Sequence, residues 1–268
     1  MTYRQPAFMT NNLISGITDP LTALVTRSGP ALIASSQRAF VDGRAGSVGF
    51  HGSTGSFAGV TIDLGGTLSV APNRAVIPEG QNYDSYNLGI VNADNPGLTS
   101  STQPSSYNLV SGAGVIDRSL SAYTDRYWGW LLAQNTSGLT FTHGGYWLGN
   151  YEQLSSSAAV QPQFDNGYVS QLIETEFPSG IASVELAAPR RKFSLDVRDI
   201  DPASSDYSVL ADVMLTRGRS FWYWPPDTTD AGPYLVRLSR DASRRQEFAA
   251  PSIGLRYRMS FEFVEDKL

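Results

Sequence analysis

The chain has 268 residues, 41% of them hydrophobic and 17% charged, which is enough to bury the core of one large domain or two small ones. Its formal net charge of −5 argues against a nucleic-acid partner, because binding a phosphate backbone needs clustered positive charge. The absence of cysteine excludes disulfides, a thiolate nucleophile and cysteine-ligated metals.

The first twenty residues predict a polar arm or an edge strand, with a short apolar patch at Leu13 and Ile14. They lack the apolar stretch of a secretory signal, and no run of about 18 apolar residues occurs anywhere, so we expect no membrane partner. The sequence leaves two placements open for this arm. It belongs to the first domain, or it crosses to the last domain and pairs with Leu255–Val264, which would make the intervening domain an insertion.

From residue 21 to residue 155, short apolar runs alternate with stretches rich in Gly, Ser, Thr and Pro, a pattern typical of a β-sandwich or barrel. The polar segment Asn92–Gly114 is long for a connection, so it is either a functional loop or contains an unrecognised short strand. The strands predicted for this first domain are Val60–Leu64, Arg74–Ile77, Leu88–Val91, Tyr127–Gln134, Leu139–Thr142 and Tyr146–Tyr151.

A Ser/Ala run at Ser155–Ala159 predicts a linker, after which residues 156–268 form a second, smaller β-rich domain with one helix. The last predicted strand alternates polar and apolar residues over its whole length, which is the period of a half-buried strand. The strands predicted here are Tyr168–Glu174, Ile181–Leu186, Lys192–Val197, Ser220–Trp224, Tyr234–Ser239 and Leu255–Val264.

The one predicted helix, Asp206–Arg217, carries a single apolar stripe made by Val209, Leu210, Val213 and Met214. Ser204 or Ser205 is expected to cap its first turn, and Gly218 suits a left-handed residue at its end. The aromatic strand that follows, Ser220–Trp224, carries bulky side chains on both of its faces, so we expect both faces to be covered.

Five segments in order give the first domain its resemblance to a known family. They are AFVDGR (39–44), VTIDLGG (60–66), NRAVIPEGQNY (73–83), RYWGWLLAQ (126–134) and GYWLGNYEQL (145–154). Together they resemble a galactose-binding-like, discoidin-type β-sandwich, a family with an early DGR-like turn, a strand ending in Asp-Leu-Gly and a late Trp-bearing strand. The resemblance covers a little under half the chain and implies a mainly β fold for it.

The second half is similar to small domains of bacteriophage tail proteins, including distal-tail and baseplate components. The segments that carry this similarity are FSLDVRDI (193–200), TRGRSFWYWPPD (216–227), YLVRLSRD (234–241) and the closing RMSFEFVED. The similarity implies a homo-oligomeric ring around a tail tube, contacts with other phage tail proteins, and an outward sandwich that contacts a partner or a host-surface glycan.

No catalytic set emerges from the sequence. His143-Gly144-Gly145 resembles an esterase oxyanion loop, but the G-x-S-x-G elbow that this chemistry requires is missing. Asp42 and Asp63 are weighed as calcium ligands, yet no DxDxDG loop is present. We therefore expect no catalytic residue, no metal and no cofactor.

Aromatic residues supply the candidate ligand-binding positions. Trp128 and Trp130 share one face of a strand and are interpreted as core, since large aromatics on one face usually fill a sandwich. Tyr83 and Tyr86, in a polar segment, are the better exposed candidates. The predicted ligand-binding residues are Tyr83, Tyr86, Trp147 and His143, and the predicted interface residues are Trp222, Trp224, Arg190 and Arg191.

The expected function is a structural virion protein of a phage tail tip or baseplate, made in the bacterial cytoplasm and located in the virion. The alternative is a carbohydrate-binding module that works as a monomer. A third class, an esterase or glycosidase, is disfavoured by the missing nucleophile elbow and by the lack of a catalytic set.

Overall fold

The computed structural model describes residues 4–15, 24–26, 34–42, 49–54, 57–78, 86–96, 102–110, 115–134, 140–143, 145–161, 167–169, 172–176, 182–186, 190–226, 233–239, 243–248 and 255–266. Strands dominate these ranges, which hold one α-helix, so the expected mainly β fold is confirmed. Within them, no helix has the length and apolar character needed to cross a membrane.

The chain divides into two compact units. One unit combines the first ten residues with Glu152–Lys267 and is called the split unit below. The other covers Asn11–Tyr151 and is called the sandwich unit.

The described part of the sandwich unit contains a 3-10 helix at Ala34–Phe40 and three antiparallel sheets. Its strands are β2 (Leu24–Thr26), β3 (Gly49–Thr54), β4 (Phe57–Asp63), β5 (Arg74–Ile77), β6 (Tyr86–Ala93), β7 (Thr102–Val110), β8 (Ile116–Ser119), β9 (Tyr127–Gln134), β10 (Thr140–His143) and β11 (Trp147–Gly149). The sheets have the orders β2-β4-β9-β6-β7, β11-β5-β8 and β10-β3.

A single apolar core joins the two larger sheets of this unit. The five-stranded sheet contributes inward side chains at alternate positions, and the three-stranded sheet contributes its own from the other side. Trp130 stacks on Tyr146 with ring centroids 4.7 Å apart, and both rings are fully buried. The two sheets therefore pack face to face as a β-sandwich. The core side chains from the two sheets are Val60, Ile62, Ile90, Trp128, Trp130, Ala75, Ile77, Ile116 and Leu148.

The segment Asn92–Gly114, which the sequence leaves as either a functional loop or a hidden strand, contains the nine-residue strand β7. Among the described strands, β7 lies at one edge of its sheet and pairs with β6. Its Pro104 obscured the strand pattern, because a proline cannot donate to a ladder and is tolerated at an edge.

The split unit is built on one large antiparallel sheet. The strands of the unit are β1 (Ala7–Met9), β12 (Glu152–Gln153), β13 (Ala159–Gln161), β14 (Gly167–Val169), β15 (Leu172–Glu176), β16 (Ala182–Leu186), β17 (Arg190–Ile200), β18 (Ser220–Trp224), β19 (Tyr234–Leu238), β20 (Ser243–Phe248) and β21 (Leu255–Glu265). The order in the large sheet is β12-β1-β18-β19-β21-β17-β13, β14 also pairs with β17, and β20 also pairs with β21. Strands β15 and β16 form a separate pair.

Strand β1, from the N-terminal arm, is part of this large sheet. Its hydrogen-bonded neighbours are β18 and β12, so it lies in the same sheet as β21 without pairing with it directly. Phe8 reaches the core of the split unit and stacks on Tyr223 with ring centroids 5.4 Å apart.

The helix α1 (Ser205–Leu215) packs Val209, Leu210 and Val213 against the same core. Ser204 caps it by accepting a hydrogen bond from the Tyr207 N–H at 3.2 Å, as expected from the sequence. It ends two residues earlier than predicted, and the left-handed conformation expected at Gly218 is present there with φ 85°.

Strand β18 has both faces buried, which confirms the expectation from its aromatic sequence. Phe221 and Tyr223 point into the core that α1 covers, whereas Trp222 and Trp224 lie on the opposite face at 1% exposure each. The residues directly opposite them on β1, Met9 and Ala7, are fully buried as well.

Candidate functional site

The predicted ligand-binding residues fall on three different sheets. Tyr86 begins β6 instead of lying in a loop, His143 ends β10, and Trp147 begins β11. Tyr83 lies outside the described residues, as do the side chains of Tyr86 and His143. Gly145, the last residue of the HGG segment, has φ 61°, in agreement with a glycine turn between two strands.

Trp147 is the one residue of this predicted set whose side chain the structure describes. Trp147 is paired with Val76, whose side chain lies on the opposite face of the sheet from the core residues Ala75 and Ile77. Even on that face, Trp147 is only 6% exposed. A ring that stacks on a sugar must present an open face to solvent. Trp147 does not provide such a platform in this conformation.

The predicted interface residues also differ in accessibility. Trp222 and Trp224 are inside the subunit, so their rings are not available to a second chain in the fold described here. Arg190 and Arg191, at the start of β17, are partly exposed. The Arg191 guanidinium lies 4.7 Å from the centre of the Tyr234 ring and donates to its hydroxyl, so this side chain already has an intramolecular partner. A role for these arginines in an interface stays a prediction.

Of the two ion pairs described in the sandwich unit, Asp63–Arg126 is more exposed than Arg74–Asp117. Asp63 ends β4 and Arg126 immediately precedes β9, and the antiparallel register places Asp63 opposite Tyr127. Arg126 Nε donates to Asp63 Oδ1 at 2.6 Å, and an Nη donates to Oδ2 at 2.7 Å. This bidentate geometry fixes the plane of the guanidinium, while its side chain remains 41% exposed.

Local backbone geometry holds both members of this pair. Asp63 Oδ1 also accepts a hydrogen bond from the Gly65 N–H at 2.8 Å, which forms an Asx-type turn, and Gly65 has φ 83°. The Leu64 N–H donates to the Arg126 carbonyl at 3.1 Å and extends the ladder by one step. The Arg126 Cζ atom lies 5.0 Å from the centre of the Tyr127 ring, within cation–π range.

The electrostatics of the pair follow from this geometry. The hydrogen bond from Arg126 lowers the pKa of Asp63, and the Gly65 amide adds to the lowering, whereas partial burial acts in the opposite direction. The same hydrogen bond raises the pKa of Arg126, so its guanidinium stays charged at every practical pH. Together, Asp63, Arg126 and Tyr127 form a planar charged group beside an aromatic ring, which we call the Arg126 site.

A second polar group lies next to the Arg126 site. Asn92 is fully buried and its Nδ2 donates to Asp125 Oδ2, while the Trp128 Nε1 donates to the Asp125 carbonyl at 2.9 Å. Burial, together with the neighbouring carboxylate of Asp94, raises the pKa of Asp125, and the hydrogen bond from Asn92 lowers it less.

A third polar group lies on the three-stranded sheet. Arg74 Nε is 2.6 Å from Asp117 Oδ1, its guanidinium also donates to Ser119, and its Cζ lies 4.6 Å from the centre of the Tyr151 ring. Its side chain is 18% exposed and that of Asp117 is 21% exposed, so this pair is more enclosed than Asp63–Arg126. Its chief effect is to tie β5 to β8.

The described residues contain no cluster of three or more His, Asp or Glu side chains that could hold a metal ion. Asp63, which the sequence raised as a calcium ligand, is instead neutralised by Arg126. A carboxylate in a bidentate pair with a guanidinium has little to offer a cation.

The two halves of the Arg126 site lie in VTIDLGG and RYWGWLLAQ, two segments that the sequence analysis singles out without predicting that they meet. The missing information was the register, because 63 residues separate Asp63 from Arg126 and only the pairing of β4 with β9 brings them together. The usable signal was an acidic residue at the end of one strand and a basic residue at the start of another.

No family model matches the chain, and no curated protein matches it significantly. Among solved structures, it is similar to chitosan-binding module 1 of a chitosanase/glucanase from Paenibacillus sp. IK-5, with 20% identity over 54% of this chain and 99% of the module, at a TM-score of 0.34. It is also similar to CBM32-1 of a family 31 glycoside hydrolase from Clostridium perfringens, with 12% identity over 49% of this chain and 94% of the module, at a TM-score of 0.32. These neighbours are carbohydrate-binding modules. Because the TM-scores are so low, we assign the β-sandwich from the sheets and core of this chain and not from these neighbours.

Proposed function

We propose that the sandwich unit binds a carbohydrate through the Arg126 site. The observation that carries the proposal is a guanidinium that is 41% exposed yet fixed in its plane by a bidentate carboxylate. Recognition of a flexible polyol gains most from donors that are already positioned, because the protein then loses little conformational freedom on binding.

The chemistry of the site suits sugar hydroxyl groups. A guanidinium carries five N–H donors, of which Asp63 takes two, so further donors can reach hydroxyl oxygens. Asp63 is held ionised and has lone pairs that can accept from a hydroxyl group. The Tyr127 ring lies under the Arg126 guanidinium and packs on Val91 and Ala93, so its part in the site is to hold the guanidinium and not to stack on a sugar.

The expected affinity is low. A monosaccharide has about a dozen heavy atoms, and ~0.3 kcal/mol for each corresponds to roughly 4 kcal/mol and a Kd of about 1 mM. Binding should therefore be sought by methods that detect weak complexes, with oligosaccharides included because each further sugar ring adds contacts.

The test compares wild-type protein with Arg126→Lys in saturation-transfer NMR and calorimetry against neutral, acidic and amino-sugar oligosaccharides. Lysine keeps the charge but loses the planar bidentate fork, so we expect at least a tenfold loss of affinity for the bound sugar. Arg258→Lys is the matched control, because Arg258 makes the same bidentate pair with Asp196 in the split unit. A wild-type protein that binds no sugar, or an Arg126→Lys variant that binds as tightly as wild type, would refute the proposal.

A second candidate is the structural role in a phage tail, with assembly into a ring, contacts with other tail proteins and a location in the virion. One feature favours it: β1 completes the sheet of the split unit, so the sandwich unit is an insertion between β1 and β12. The arm therefore crosses to the last domain, but it pairs with β18 and β12 and not with Leu255–Val264. Light scattering on the purified protein tests it, since a discrete cyclic oligomer supports a ring, while a monomer at all concentrations removes self-assembly.

A further inference from the structure

The two chain ends of the sandwich unit are hydrogen-bonded to each other. This unit begins at Asn11 and ends at Tyr151. The Asn150 N–H donates to Asn11 Oδ1 at 3.0 Å, and Asn11 Nδ2 donates in return to Asn150 Oδ1 at 3.3 Å. Further into the unit, the Leu13 N–H donates to the Leu148 carbonyl at 2.8 Å. The segment that enters the unit and the segment that leaves it therefore run side by side.

Asn12 anchors both of these segments to the core of the unit. Its Nδ2 donates to the Tyr146 carbonyl at 3.1 Å, and its Oδ1 accepts from the N–H groups of Ile14 and Leu148 at 3.2 Å each. A side-chain amide offers the same donor and acceptor as a peptide group, so Asn12 takes the place of a rung in a strand ladder. Tyr146, Ile14 and Leu148 are fully buried core residues. Asn12 thus joins the entering and leaving segments at points that the core already fixes.

Two more asparagine side chains hold the leaving segment. Asn73 Oδ1 accepts from the Tyr151 N–H at 2.6 Å, and its Nδ2 donates to the Tyr151 carbonyl at 3.1 Å. Asn150 Nδ2 donates to the Ala71 carbonyl at 3.0 Å. The end of the unit is therefore bound to the segment that precedes β5. We call the residues that make these bonds the asparagine clamp, namely Asn11, Asn12, Asn73 and Asn150.

Strands β1 and β12 of the split unit are the elements that precede and follow the clamped ends. They pair directly in the large sheet, with Ala7 opposite Gln153 and Phe8 opposite Glu152. All of residues 11–151 lie between the two strands in sequence. The entropy cost of closing a flexible connection grows with the logarithm of its length, so the pairing would be less favourable across an unfolded segment of this size.

We propose that the asparagine clamp serves as the turn of a β1–β12 hairpin and thereby keeps β1 docked in its sheet. With the clamp closed, the free connection is about two residues, Thr10 and Tyr151. With the clamp open, the nearest fixed points are Ile14 in the core and Gly149 at the end of β11, so the free connection grows to about six residues and its closure becomes about fivefold less favourable. This role does not depend on whether the sandwich unit binds a sugar.

The test is amide hydrogen exchange, followed by NMR, in the full-length protein. We expect the amides of Ala7–Met9 to exchange about fivefold faster in Asn12→Ala than in wild type, because β1 opens more often when its turn is loose. The amides of β17 and β21, elsewhere in the same sheet, should keep their wild-type rates. Asn11→Ala removes only the reciprocal bonds of an exposed residue, so it tests the same effect with less risk to folding and should change β1 in the same direction.

Asn92→Ala is the matched control. Asn92 is a fully buried asparagine of the same unit that donates to Asp125 and is not a member of the clamp. Its replacement should speed exchange in β6 and β9 without changing exchange at Ala7–Met9. Unchanged exchange of Ala7–Met9 in both clamp variants would overturn the proposal. The same acceleration there in Asn92→Ala would also overturn it, because it would show a general loss of stability instead of a loosened turn.

Discussion

Asp196 and Arg258 meet in a bidentate ion pair on the face of the large sheet that lies opposite the apolar core of the split unit. Arg258 Nε donates to Asp196 Oδ1 at 2.9 Å, and its Nη donates to Oδ2 at 2.8 Å. Ser260, directly opposite Asp196 on β21, donates to Oδ1 at 2.8 Å, and Arg198 Nε donates to Oδ2 at 3.1 Å. The carboxylate is therefore only 4% exposed and surrounded by donors.

Replacement of Asp196 by Asn should lower the free energy of unfolding by about 2–3 kcal/mol, because it leaves two guanidinium groups without their shared anion. Equilibrium urea unfolding at pH 7 measures this loss. Asp212→Asn, at an exposed position of α1, is the control and should change the free energy by less than about 0.5 kcal/mol.

The same pair predicts how the stability depends on pH. Burial by itself raises the pKa of Asp196, but the hydrogen bonds from Arg258, Ser260 and Arg198 together outweigh it and the pKa is lowered. A lowered pKa contributes stability above the unfolded value, which is lost as the pH falls through the folded value. Wild type should therefore lose stability on acidification more steeply than Asp196→Asn. Parallel curves of unfolding free energy against pH for the two proteins would contradict the lowered pKa of Asp196.

Two neighbouring glycines provide a matched pair of substitutions. Gly65 has φ 83° and Gly66 has no such left-handed φ, and a Cβ atom at either position meets nothing within 4 Å. Gly65→Ala should cost about 1 kcal/mol through backbone strain alone. Gly66→Ala should be neutral or stabilise by up to about 1 kcal/mol, because alanine restricts the unfolded chain. Thermal unfolding of both variants measures the two changes in stability, and equal changes would argue against a strained backbone at Gly65.

Two leucines on α1 test the packing of the helix. Leu210 is fully buried in the core of the split unit, whereas Leu215 is 58% exposed. Leu210→Ala should destabilise by about 2–5 kcal/mol, since it removes buried apolar surface and leaves a cavity. Leu215→Ala should change the stability by less than about 0.5 kcal/mol. A similar loss in both variants, measured by chemical denaturation, would mean that the buried face of α1 is wrongly assigned.

Two serines test the start of the same helix. Ser204 accepts a hydrogen bond from the Tyr207 N–H, so Ser204→Ala should cost about 1 kcal/mol through loss of the cap. Ser208 is exposed within the helix, where alanine is the better helix former, so Ser208→Ala should be neutral or slightly stabilising. The difference between the two midpoints of urea unfolding isolates the contribution of the cap.

Much of the fold was predictable because local pattern and tertiary structure agree. The alternation in Leu255–Glu265 and the aromatic run at Ser220–Trp224 identified two central strands almost to the residue. The apolar stripe of α1, its serine cap and its glycine stop identified the helix. In each case the sequence signal lies within about a dozen residues.

What sequence reasoning missed depends on partners far away in the chain. Asp199 adopts φ 57° at an irregularity in the pairing of β17 with β21, and Arg256 from β21 is 3.4 Å from its carboxylate. Nothing near Asp199 in the sequence indicates this bulge. The Arg126 site was missed for the same reason, because it exists only once β4 and β9 are in register.

The position of β1 has a consequence for synthesis on the ribosome. Its partner strand β18 is made roughly 200 residues later, a delay of about 10–40 s at typical translation rates of ~5–20 residues per second. All of residues 11–151 emerge within that interval, so the sandwich unit can fold while Ala7–Met9 still lacks its main neighbour. During this time Ala7–Met9 is an apolar segment without its main partner strand, and it is open to pairing with other chains.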